Sequence, residues 1–329
     1  MSRLLIPSLA IVLIVLAGVS LLAGTVWLSP ADVLDGLTSG RETLSGLIVT
    51  DIRLPRMVLA LMVGGILGLS GAVLQGLLRN PLAEPGLLGV SSGASLGAVI
   101  AIYYGFAHLT SLAAPGFALV GGLVTAGLAL ALSRSGGTLA LILAGSAVSA
   151  IAAAGVSLAL NLAPNPYAAY EITTWLMGSL SDRSWDHVRL AGPFILAGAA
   201  LLLSTGRALD ALSLGEAQAE SLGVHVARTR MLALFGAALG VGAATAVAGA
   251  IGFVGLVAPH LVRALVGHRP GRVLVPATLT GAIIVVAADI GTRLFHFQAG
   301  PELRLGVLIS LIGAPFFLWL VLHLKRTAP

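Results

Sequence analysis

The chain has 329 residues, 57% of them apolar and only 9% charged, with a mean hydropathy of +1.03. About a quarter of the residues of a soluble domain are charged, so a soluble globular fold is excluded. Cysteine is absent, which removes disulfide frameworks, thiolate metal sites and a cysteine nucleophile. The formal charge of +5 rests on basic residues standing singly between apolar runs, a membrane-topology pattern and not a nucleic-acid surface.

The apolar runs are too long and uninterrupted for an outer-membrane barrel, whose strands alternate over about ten residues. They predict an all-α polytopic membrane protein with about ten transmembrane helices, each near the roughly 20 residues needed to cross. The first run, residues 4–28, exceeds the apolar core of about 7–15 residues in a cleaved signal and reads as a retained helix. Further spans follow at 57–78, 86–106, 112–132, 138–162, 188–206, 229–250, 251–266, 273–292 and 305–324. The seventh and eighth are divided only by Gly249, Gly252 and Gly255 within one long apolar run, so counts of eight or nine stay open at this point.

With the N-terminus inside, the outer loops hold Arg41, Arg53, Arg56, Arg183, Arg189, Arg293 and Arg304. The other eleven of the 18 Lys and Arg residues fall inside, which favours two cytoplasmic termini. Arg53 and Arg56, in "DIRLPRMVLA" at 51–60, run against that bias at the mouth of a span. Pro55 between them can begin a helix, where its missing N–H costs little. Asp289 and Arg293 stand four residues apart and can pair on one helix face, a structural role for Arg293.

Glycine is abundant, 42 residues, and Gly64, Gly68 and Gly71 stand at the small-residue spacing that lets helices approach closely. Gly68-Leu69-Ser70-Gly71 also matches the G-x-S-G pattern of intramembrane serine proteases, with His260 as an imaginable base. Packing is the competing role for Ser70. The single lysine, Lys325, follows Leu324, so no phosphate loop ending in Gly-Lys-Ser/Thr can be written and ATP must be hydrolysed in another chain. The seven histidines are scattered without metal-ligand spacing, so neither metal nor cofactor is expected. In the outer loop 164–188, Tyr167, Arg183 and His187 read as interfacial-belt residues rather than ligands. On the inner side, 213–230 offers Ser213 as a cap, Glu216 in a first turn and Gly223 as a terminator, enough for one or two short helices outside the lipid. The stretch 255–272 ends in a cluster of basic residues.

Five segments in order carry a resemblance that covers nearly the whole chain. "RLPRMVLALMVGGILGLSGAVLQGLLRNPLAEPGLLGVSSGASLGA" at 53–98, "GEAQAESLGV" at 215–224, "GAIGFVGLVAPHLVR" at 249–263, "ADIGTRL" at 288–294 and "LIGAPFFLWLV" at 311–321 resemble the permease subunits of ABC importers for iron-siderophores, haem and cobalamin. The resemblance implies a single permease domain over 1–329 in the inner membrane, paired with a second permease subunit, expected as a homodimer. It also implies two cytoplasmic ABC ATPase subunits and a periplasmic substrate-binding protein as partners. Arg53, Arg56 and Arg293 would then receive acidic residues of the binding protein. Glu216, Leu222 and Gly223 would belong to coupling helices seated in the ATPases, at about 213–230, and Ser146 and Ser149 on the fifth span would face the pathway. "PELRLG" places Arg304 where many relatives have proline, adding a cation near Arg293.

Overall fold

A computed structural model describes residues 2–24, 26–133, 138–294 and 303–327. Arg134 of the inner basic set and Pro301 and Glu302 of the last outer loop lie outside the described residues. The α-helices among the described residues are α1 Ser2–Leu22, α2 Pro30–Ser39, α3 Leu44–Leu47, α4 Leu54–Leu78, α5 Val90–Tyr103, α6 Ala113–Leu132, α7 Thr138–Asn161 and α8 Pro166–Leu176. These continue as α9 Trp185–Ser204, α10 Gly206–Leu212, α11 Glu216–Ser221, α12 Val226–Ala248, α13 Val254–Arg263, α14 Pro270–Leu294 and α15 Leu305–Thr327.

Among the described residues, seven segments are long and apolar enough to cross a membrane, and three shorter apolar helices stand beside them at 90–103, 254–266 and 305–320. Each coincides with one of the ten expected spans. The seventh and eighth are separate. α12 ends at Gly249, whose φ of +73° and close approach to the Trp175 carbonyl, 2.6 Å from where a Cβ would stand, require glycine. The chain then runs without helix to Phe253 before α13 begins. Non-helical backbone between two apolar helices needs protein partners. At the edge of this stretch Ser179 N–H donates to the Ala248 carbonyl that ends α12, at 2.8 Å.

Two spans differ from expectation at their starts. The second does not begin near 57, because a π-helical turn at Ile48–Arg53 joins α3 to α4 and the helical path runs unbroken from Leu44. Pro55 therefore lies just past a π-turn, and the Thr50 carbonyl five residues before it accepts instead from Trp185 Nε1 at 2.8 Å. The third begins at Val90 instead of 86, since Pro81, Pro85 and Gly89, the last at φ +75°, hold the chain in turns.

Core position follows small residues. α4, α12 and α14 are mostly enclosed, whereas α1 lies almost wholly on the outside. A Cβ on Gly64 would strike the Gly281 carbonyl, one on Gly68 the Ala277 carbonyl and one on Gly71 the Gly255 carbonyl. Backbones of α4, α14 and α13 thus touch directly, and dispersion replaces the hydrophobic drive that lipid cannot provide.

Candidate functional sites

The arginines at the mouth of α4 are held in place by other helices. Arg53, only 6% exposed, donates from Nη1 to Leu21 O at 2.6 Å and Leu22 O at 2.9 Å, and from Nη2 to Val26 O. Arg293 of α14, 7% exposed, donates to Ser20 O at 2.8 Å and Ala23 O at 3.1 Å. α1 has no basic residue in its own last turn, so its terminal carbonyls, negative by the helix dipole, are satisfied by cations from α4 and α14. Gly24 leaves the room: a Cβ there would stand 2.7 Å from the Arg53 guanidinium.

Asp289 ties the same corner together. Its Oδ1 accepts from Arg56 Nε at 2.8 Å, and its Oδ2 accepts from Arg293, so one buried carboxylate serves two helices. Arg56 also reaches Thr292 Oγ1 at 3.4 Å. The i,i+4 pair of Asp289 and Arg293 was legible in the sequence; the link to Arg56 was not.

Beside this knot opens a cavity of about 640 Å³ lined by Arg53, Arg56, Arg183, Arg293 and Arg304 against two carboxylates, Asp51 and Asp182. Asp51 is already paired with Arg41 at 2.8 Å. Arg183 comes from the turn before α9 and was expected in an interfacial belt; its buried Nε has no hydrogen-bond partner among the described residues. Burial holds that guanidinium below the usual arginine range, with Asp182 opposing the shift and Arg304 adding to it. His187, also expected at an interface, is instead 2% exposed beneath Arg183, 3.4 Å from its Nη1. The site as a whole carries a surplus of cations and attracts anionic groups. Tyr167 lies away from it, exposed and stacked on His108 with ring centroids 6.4 Å apart.

The opposite end of α4 shares its face with α10 and α11. Ser213 ends α10 instead of capping a helix, and Gly215, at φ +123°, opens α11. Glu216 occupies the first turn, and its Oε1 pairs with Arg230 at 3.3 Å. Gly223, φ +83°, closes the turn by donating to Glu220 O at 2.9 Å. α12 starts at Val226, so Arg228 and Arg230 belong to a crossing helix and not to a second surface helix. Leu214 and Leu222 stand out at 65% and 64% exposure on this loop.

On α7, Ser146 is exposed, while Ser149 is half-buried against Gly89, its Oγ 3.2 Å from where a Cβ would stand. A protease dyad is not formed: Ser70 is fully buried, and its Oγ has no hydrogen-bond partner among the described residues. His260 lies edge-on to Phe316, ring centroids 5.7 Å apart. This arrangement does not support a serine-protease role for Ser70 and His260.

Fold and sites together define a multi-span helical membrane protein with a cation-lined cavity on one face and a short-helix loop bearing exposed leucines on the other. The chain belongs to the FecCD transport family, whose profile matches residues 11–323. It is 41% identical to the hemin transport system permease protein of Yersinia pestis over 281 residues, 84% of this chain and 83% of that one. It is 39% identical to the ferric enterobactin transport system permease protein of Escherichia coli K12 over 331 residues, 98% of this chain and 96% of that one. Among solved structures, an inward-facing metal-chelate-type ABC transporter superposes with a TM-score of 0.86 at 34% identity, covering 97% of this chain and 98% of that one.

Proposed function

We propose that this chain is the transmembrane permease subunit of an ATP-driven importer of metal chelates, an iron-siderophore, haem or cobalamin, and that it hydrolyses no ATP itself. The observation that carries this reading is the end-to-end match to a metal-chelate-type ABC transporter chain, with almost the whole of each chain covered. The whole of 1–329 acts as one membrane domain and pairs with a second copy. It lies in the inner membrane with both termini cytoplasmic, as the distribution of its 18 Lys and Arg residues supports.

The outer cavity is where the periplasmic binding protein docks. Arg53, Arg56 and Arg293 set the position of positive charge, and Arg183 and Arg304 extend it. Because Arg53 and Arg293 also hold α1, docking acts through their field and through the cavity mouth more than through free side chains, favouring orientation and association rate. At the other face Glu216, Leu222 and Gly223 couple the subunit to two cytoplasmic ATPases. The exposed leucines are the apolar knobs such a contact requires. Ser146 and Ser149 lie on the helix that faces the pathway.

Reconstitution with the cognate ATPases and binding protein tests the reading. ATP-dependent uptake of one chelate that requires the binding protein supports it; uptake that proceeds without the ATPases refutes it.

A further inference from the structure

The basic stretch that follows α13 finds its place in a second cavity, of about 310 Å³, on the face that carries α11. Gln75, Gly76 and Arg79 at the end of α4, Ser213 at the head of the coupling loop, Arg263 as the last residue of α13 and His268 beyond it all line the cavity. Among the described residues no carboxylate lines this cavity. Asp210 of α10 uses its Oδ1 to accept Gly271 N–H at 2.8 Å. Arg263 gives one donor to Gln75 Oε1. Gln75, 3% exposed, is fixed in turn by the carbonyls of Gly255 and Leu256 at 3.4 Å. Among the described residues the guanidinium's other four donors have no acceptor and are left for an incoming one.

Backbone conformation marks the same spot. Four non-glycine residues have positive φ among the described ones, and two of them, Arg79 at +48° and His268 at +60°, line this cavity. Arg79 takes the left-handed C-cap of α4, its N–H on Gln75 O, and His268 N–H closes the end of α13 on Arg263 O, so two helix ends deliver their side chains to the cavity. Arg79 and His268 are both exposed, and neither is paired with a carboxylate among the described residues.

We propose that this cavity receives an acidic side chain of the partner ATPase, forming a charged anchor beside the coupling helices. The inference rests on the permease reading above. Charge complementarity selects the occupant: three cationic or protonatable groups converge without an acid, and Ser213 makes the cavity continuous with the loop that meets the ATPase. A planar guanidinium such as Arg263, preset by Gln75, suits bidentate capture of a carboxylate.

The test uses the full chain in nanodiscs with its ATPase partner, reading the dissociation constant of the ATPase against salt. Wild-type affinity comes first; no binding by the wild type would overturn the permease reading itself, not this anchor. Arg79→Gly relieves the left-handed backbone and removes the charge, so it should fold while weakening binding. Arg79→Glu should weaken it by about tenfold or more and flatten the salt dependence, and Arg79→Lys should stay close to wild type. Single Asp→Arg or Glu→Arg replacements across the ATPase contact face should include one that restores binding to Arg79→Glu. Unchanged affinity and salt dependence in Arg79→Glu would overturn the proposal. So would a loss seen only in nanodiscs containing phosphatidylglycerol, which would assign the cavity to a lipid headgroup.

Discussion

Asp289 accepts the Arg56 guanidinium at 2.8 Å with its carboxylate 1% exposed, and the same carboxylate holds Arg293 one turn along α14. Three charges thus sit where two helices and the end of a third converge. A buried arrangement of this kind adds little when complete but leaves uncompensated charge when a member is lost.

Asp289→Asn should therefore lower thermal stability in detergent sharply, by about 3–5 kcal/mol. Pairing it with Arg56→Met should cost less than the two single changes added together, since the double variant leaves one fewer stranded cation. Additive losses measured by denaturation would show that the residues act independently.

Direct contact between α4 and α14 gives a second expectation. Gly281→Val drives a side chain into the Gly64 carbonyl and should destabilise by about 1–3 kcal/mol or more through overpacking. Gly116→Ala, with nothing within 4 Å of the added carbon, should leave the melting temperature unchanged or raise it slightly. Equal effects would remove the small-residue account of the core.

Much of this architecture could be read from the chain, and the reason is physical. Spans of about 20 apolar residues are a long-period signal that survives without tertiary information, and of the three glycines that suggested a break, Gly249 and Gly252 fall between α12 and α13 while Gly255 lies inside α13. The i,i+4 pair of Asp289 and Arg293 was visible because one helix sets both positions. Arg56 and Asp289 lie 233 residues apart, and Arg53 bonds to backbone carbonyls of α1, which no side-chain pattern announces. Charged residues at 41–53 likewise hid the upstream turns of the second span, since hydropathy cannot see a helix that continues through the interface. Ser213 was misjudged because Gly215, with its φ of +123°, takes the capping position.

Leu222 offers a test of coupling free of folding effects, because its side chain is largely solvent-facing. Leu222→Asp should leave the melting temperature within the range of an ordinary surface change, about 0.5 kcal/mol. It should nevertheless reduce ATP-driven uptake by about tenfold, through loss of a buried apolar anchor at the ATPase contact. Full uptake in this variant would remove Leu222 from the coupling contact.

Arginines at the outer cavity should govern the binding protein's arrival. Arg53→Glu with Arg56→Glu should lower binding-protein-stimulated ATP hydrolysis. Because both also hold helices in place, Arg304→Glu serves as the companion, since it lines the cavity without bonding to α1. It should slow association by about tenfold at low salt and by less at high salt. Association independent of both charge and salt would move docking elsewhere.

The most direct test of the whole account is uptake into proteoliposomes holding this chain and its ATPases, with the binding protein added outside and haem, cobalamin and ferric siderophores offered in turn. The account predicts that one metal chelate accumulates, only with ATP inside and only with its binding protein present. Accumulation that needs neither, or cargo of a different chemical class carried under the same conditions, would contradict it.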